Sequence, residues 1–165
     1  MVSEEKKSKR SRSIIPPCPV PDFSQDPRVR EILAKPRVVA VVGMSPRPDR
    51  PSHEVGVYLA RHGFKVIPVY PAVEEVAGLR AYPSLDDVPR DAGIEIVDVF
   101  VSARRAGPIA DQAARTGARI IWFQPGTENP EAEARARELG LEVFSRRCMM
   151  ADHIRLIGDS GGKSS

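Results

Sequence analysis

Five apolar, β-branched runs recur along residues 37–144: RVVAVVG, FKVIPVY, IEIVDVFV, RIIWF and LEVF, most of them separated by a stretch of helical character. Short runs without polar alternation fit strands covered on both faces, as in parallel sheets. Parallel neighbours need crossover connections, and helices supply them in a right-handed sense. The pattern predicts helices over 52–62, 106–116 and 130–139, with an earlier one opened by Asp26 as N-cap, Pro27 at the first helical position, and Pro36 ending it. Gly63, Gly117 and Gly140 fall where a left-handed cap would precede the next strand. Asn129, Pro130 and Glu131 make a second cap-and-proline helix start. In GLRAYPSLDDVP, Ser84 is expected to cap one turn near Asp86 and Asp87. The expectation is a single α/β domain: a five-stranded, doubly wound parallel sheet between two helical layers.

The chain has 165 residues, enough for one core and too few for two ordinary domains once a tail is set aside. Residues 1–24 read as a flexible basic and proline-rich tail, 25–158 as the folded domain and 159–165 as a flexible C-terminal tail. The basic cluster Lys6, Lys7, Lys9, Arg10 and Arg12 lies beside Glu4 and Glu5 and reads as a solvated segment. A net charge of +3 from 25 basic and 22 acidic residues suits a small anion. Aromatics at 5% leave few stacking platforms, which argues against a nucleic-acid partner. Cys18 and Cys148 give neither a disulfide framework nor metal-ligand spacing, as in a reducing, cytoplasmic protein. No apolar run reaches the roughly 18 residues of a membrane span, and no secretory signal is apparent, so no membrane partner is expected. The sequence leaves the subunit number open, a homodimer included.

In a doubly wound sheet the loops after the strands collect along one edge. Residues 43–52, 70–73, 102–106 and 124–128 should therefore surround one crevice. Gly43 lets backbone approach an anion without a side chain between, and the helix starting near Ser52 aims its positive dipole end at the same space. Ser45 and Ser52 offer hydroxyls, and Arg47 and Arg50 offer charged donors. Neither the G-x-G-x-x-G fingerprint nor a P-loop lysine is present. Where an NAD site would place an acid after the second strand, the chain reads Val69-Tyr70-Pro71-Ala72, an apolar ledge for a flat base. These residues argue against NAD and leave an adenine nucleotide open.

The segments VVGMSPRPDRPSHEVGVYLARHGFKVIPVYP, VDVFVSARRAGPIADQA, IIWFQPG and RCMMADHIRLIG together resemble the small stand-alone CoA-binding proteins, over about residues 26 to 158. The domain of those proteins is similar to the nucleotide-binding domain of the succinyl-CoA synthetase α subunit. The resemblance implies a three-layer Rossmann-like fold holding coenzyme A or an acyl-CoA. It places the pyrophosphate on the first loop and helix start, and the adenine near the end of the second strand. Carried over, Gly43, Ser45, Arg50 and Ser52 match the pyrophosphate loop, with Met44, Arg47 and Pro51 in the same loop. Val69, Tyr70 and Pro71 match the adenine ledge, Arg104 lies where it could reach a phosphate, and Gln124 and Gly126 of IIWFQPG complete the assigned cofactor site. One departure is that many relatives read Asn-Pro-Lys where this chain reads Tyr70-Pro71-Ala72-Val73, so the charge of that lysine must come from elsewhere or binding is weaker. Phe100, Trp122, Phe123 and Pro125 could line a groove for the pantetheine arm but read first as core.

Cys148 with His153 is the one pairing that suggests nucleophilic catalysis, yet a cysteine beside Met149 and Met150 reads as a small buried hydrophobe. His53 opens the phosphate-facing helix, and His62 suits its C-terminal end. No paired carboxylates or metal cluster can be named. The resulting reading is a coenzyme A binding module without turnover of its own. The alternative is a Rossmann-type enzyme, either a thioester-handling acyl-CoA transferase using Cys148 or an NAD(P)-dependent oxidoreductase.

Overall fold

The computed structural model describes residues 23–158. Strands β1 (Val38–Val42), β2 (Lys65–Val69), β5 (Ile96–Val99), β6 (Ile120–Phe123) and β7 (Glu142–Ser145) form one sheet in the order β2-β1-β5-β6-β7. Every neighbouring pair is parallel. A two-stranded antiparallel ribbon, β3 (Glu75–Val76) and β4 (Leu79–Arg80), follows β2.

Side chains alternate across the sheet with the period of two that strands impose. Val39, Val41, Ile96, Trp122 and Phe144 pack under α1 (Asp26–Leu33), α2 (Pro51–Arg61) and α5 (Met149–Leu156). Ala40, Val42, Val97, Val99, Ile121 and Phe123 pack under α3 (Ile109–Thr116) and α4 (Pro130–Glu138). The order reverses at β1, with β2 on one side and β5 on the other, and this switch point opens the crevice at the strands' carboxyl ends. The fold is the expected doubly wound α/β domain.

Details differ from the sequence expectation. Asp26 is not a cap: the N-cap of α1 is Gln25, and the Asp26 carboxylate instead accepts from Arg147 (2.8 Å) and Arg155 (2.8 and 3.0 Å). Those two guanidiniums, Arg155 foremost, hold the Asp26 carboxyl well below the usual range. The Ser84 hydroxyl donates to the Asp87 carboxylate (2.9 Å) rather than capping a backbone amide. Helix α3 starts three residues late, after a single 3-10 turn over Ala103–Arg105 and Pro108. Helix α5 and the β3–β4 ribbon lay outside the expectation. Asn129 does cap α4, accepting from the amides of Glu131 (3.0 Å) and Ala132 (3.1 Å). Gly63, Gly117 and Gly140 all adopt positive φ, as left-handed caps require. The basic cluster at Lys6–Arg12 lies outside the described residues.

Candidate functional site

The first loop is built around Gly43, whose φ of +90° lies in the left-handed region. A Cβ there would stand 3.2 Å from Val101 Cγ1 and 3.4 Å from the Phe100 carbonyl carbon, so both conformation and space call for glycine. Its N–H donates to the Val69 carbonyl (2.8 Å), tying the end of β1 to the end of β2. Gly43→Ala should therefore cost about 1–3 kcal/mol of stability, read from urea unfolding. A loss under ~0.5 kcal/mol would show that the turn tolerates a side chain.

Beyond Gly43 the chain anchors itself by burying Met44 completely against Gly56 of α2, where an added Cβ would lie 2.4 Å from Met44 Cε. The Ser45 N–H donates to Ser52 Oγ (3.0 Å), and the Arg47 N–H donates to Ser45 Oγ (3.1 Å). Each hydroxyl thus accepts within the loop and keeps its own proton to donate. The Ser45 carbonyl lies 2.9 Å from His53 Nδ1, which pins the loop to the first turn of α2. Helix α2 opens with Pro51, and no side chain caps it; its N-cap, Arg50, is extended (φ −91°, ψ 142°). The dipole end of α2 and two hydroxyl donors therefore converge on one spot, a donor set that fits a diphosphate.

Two recesses adjoin at this edge of the sheet. The first, about 370 Å³, is bordered by Gly43, Ser45, Arg50, Pro51, Ser52 and Phe100. The second, about 310 Å³, runs between Val69, Tyr70 and Pro71 on one side and Pro108, Ile109 and Gln112 on the other. Gly43, Tyr70, Val101 and Arg105 border both. Tyr70 is fixed by its N–H to the Tyr82 carbonyl (2.9 Å), and the chain turns sharply just after Pro71, where Ala72 takes φ +67°.

The remaining residues named from sequence lie elsewhere. Arg47 pairs with Asp49 (3.2 Å) in solvent, and Arg104 is exposed and borders neither recess. Gln124 is buried and donates to Asp98 Oδ1 (2.6 Å), while the exposed Gly126 donates its N–H to Glu128 (2.6 Å). Loops 43–52, 70–71 and 101–105 border the crevice; residues 124–128 do not. Trp122 and Phe123 are fully buried core residues.

Arg105, Gln112 and Asp98 escaped the sequence reading. Among the described residues, the side chains of Arg105 and Arg50 make no ion pair or hydrogen bond. Asp98 sits fully buried in β5; burial pushes its carboxyl up to about 7, and its Oδ2 has no partner among the described residues. Its signal was an acid inside an apolar run. The Cys148 thiol is raised by burial, the reverse of what an attacking thiolate needs. His153 Nδ1 lies 2.8 Å from the Tyr58 hydroxyl. Among the described residues no cluster of His, Cys, Asp and Glu could hold a metal, and no helix is long and apolar enough to cross a membrane.

The comparison with known proteins bears on this geometry. Protein YneT of Bacillus subtilis (strain 168) is 36% identical over 125 residues, 76% of this chain and 91% of that protein. A hypothetical protein from Pyrococcus horikoshii OT3 superposes with a TM-score of 0.77 at 44% identity, covering 81% of this chain and 92% of that one. Acetate–CoA ligase (ADP-forming) II of Archaeoglobus fulgidus is 27% identical over 130 residues, which is 72% of this chain and only 19% of the ligase. The sequence profile of the CoA binding domain spans residues 37–154, from the start of β1 to within α5, and so takes in both recesses. With that match across the sheet and its crevice, the chain belongs to the CoA binding domain family.

Proposed function

We propose that the chain binds coenzyme A, or an acyl-CoA, across the two recesses, as a carrier without turnover of its own. The observation that carries the reading is that a recess with two serine hydroxyls and the uncapped start of α2 shares one wall with an apolar slot, and Arg105, without an ion pair or side-chain hydrogen bond among the described residues, stands at their boundary. The ligand's diphosphate lies over Ser45, Ser52 and the N-terminus of α2, with Arg50 supplying charge. Its base enters the slot over Val69, Tyr70 and Pro71. Arg105 stands between the two and takes the place of the lysine that many relatives carry after the proline of the ledge. Bound coenzyme A supplies a thiol that carries acyl groups as thioesters. The protein's part is to hold the phosphates, orient the base and leave the thiol arm outside the slot.

Titration calorimetry tests this directly. Coenzyme A should bind more tightly than dephospho-coenzyme A, with NAD weakest. Arg50→Ala should weaken coenzyme A by about ten- to a hundredfold, since a hydrogen bond to a charged group is worth about 1.5–3 kcal/mol, and the loss should shrink as salt is raised. Negligible heats for all three ligands would remove the proposal.

A further inference from the structure

The slot beside β2 is poor in hydrogen-bond donors. Pro71, Pro83 and Pro108 border it without an N–H to offer. The Tyr70 N–H is taken by the Tyr82 carbonyl (2.9 Å), and the Ser84 hydroxyl donates to Asp87 (2.9 Å). Arg105 borders both recesses, and in the reading above its charge serves the phosphates. Two polar side-chain groups remain without a hydrogen bond among the described residues: the Tyr70 hydroxyl, a single oxygen on the wall shared with the other recess, and the amide of Gln112, half-buried at the end of the first turn of α3, which borders the slot alone. A primary amide presents one acceptor and a donor pair side by side. That arrangement matches the exocyclic amine and neighbouring ring nitrogen of adenine, which glutamine reads in bidentate fashion elsewhere.

We infer that Gln112 is the specificity-determining residue of the slot, pairing its carbonyl oxygen with the 6-amino group of an adenine and its NH₂ with the adjacent ring nitrogen. The inference rests on the coenzyme A reading above and adds to it the residue that reads the base. The prolines and aliphatic side chains of the slot hold any flat ring; the amide selects the one with an amine at that edge. A carboxylate at this position would serve guanine, and none borders the slot.

The test is a cycle of two proteins and two ligands, followed by calorimetry on the full chain. The ligands are coenzyme A and its analogue with purine in place of adenine, lacking only the 6-amino group. Gln112→Ala should weaken coenzyme A about tenfold, as two lost hydrogen bonds imply, and weaken the purine analogue by no more than about threefold. Alanine is the best helix former, so α3 should persist; Gln112→Leu, which keeps the bulk, should give the same pattern. Equal losses for both ligands, or no loss for either, overturn the assignment of Gln112 while leaving the coenzyme A reading standing. No heat from the parent protein with coenzyme A overturns both.

Discussion

Asp98→Asn should turn a pH-dependent stability curve into a flat one between pH 4 and pH 7. The Asp98 carboxyl is raised from 3.8 to about 7 by complete burial, partly offset by the hydrogen bond from Gln124. Below its unfolded value both folded and unfolded chains hold the proton, and the protonated acid is tolerated in the core. As pH rises, the unfolded chain releases its proton first, so the folded state loses ground until the folded carboxyl itself ionises near 7. Each tenfold change in proton affinity is worth about 1.36 kcal/mol, so the parent protein should lose ~4 kcal/mol across that window through this residue. Asp26 works in the opposite sense and elsewhere: its carboxyl is depressed by Arg155 and Arg147, so its contribution is intact above its unfolded value and is lost below pH 4. The asparagine variant keeps the acceptor for Gln124 and buries an NH₂ where the neutral acid has a single O–H at the unpartnered Oδ2, so at pH 4 its plateau lies at or slightly below the parent's. Urea unfolding at half-unit pH steps makes the comparison. Parallel curves for parent and variant would mean that Asp98 titrates as an ordinary acid.

Arg147→Met is expected to destabilise the fold by about 3–5 kcal/mol, the usual result of stripping one partner from a buried ion pair. Arg147 is 1% exposed, yet it reaches Asp152 (2.8 Å) inside α5 and Asp26 (2.8 Å) at the start of α1. Its carbonyl also receives the Trp122 indole N–H (3.0 Å), so the residue joins the sheet to two helices. Without it, Asp152, 4% exposed, keeps among the described residues only the more exposed Arg155 (3.1 Å) as a charged partner. The double variant Arg147→Met/Asp152→Leu should recover much of the loss, because replacing a buried pair with apolar groups removes the stranded charge as well. Thermal and urea midpoints for the set decide it; a single variant within 1 kcal/mol of the parent would show that the network contributes shape rather than energy.

The order of strands and helices was legible because runs such as VVAVV and IVDV admit little besides a strand buried on both faces. Helix α5 was not, since it spans eight residues and its N-cap is Cys148, a residue without capping chemistry. The first loop could be read because glycine, serine and proline each answer a local geometric need there. The choice between Arg104 and Arg105 could not. The two sit in one 3-10 turn, where a shift of one residue rotates a side chain by about a third of a circle, and the turn's packing decides which faces the sheet. Gln112 stayed hidden for a related reason: with the helix drawn from 106 rather than Ile109, its face toward the slot could not be assigned. Asp98 shows the opposite limit, in that the apolar run around it revealed its burial while nothing in the sequence revealed how little polar company it would have.

The hydrogen bond from the Gly43 amide to the Val69 carbonyl ties the first loop to the ledge after β2, the two parts that meet the diphosphate and the base in the proposed reading. A ligand joining both chemistries in one molecule meets each half at the local concentration set by its own linkage, while separate fragments must each surrender their freedom in solution. Loosening that one amide contact would therefore cut the advantage of the intact ligand over its pieces, even with every side chain of the crevice still in place.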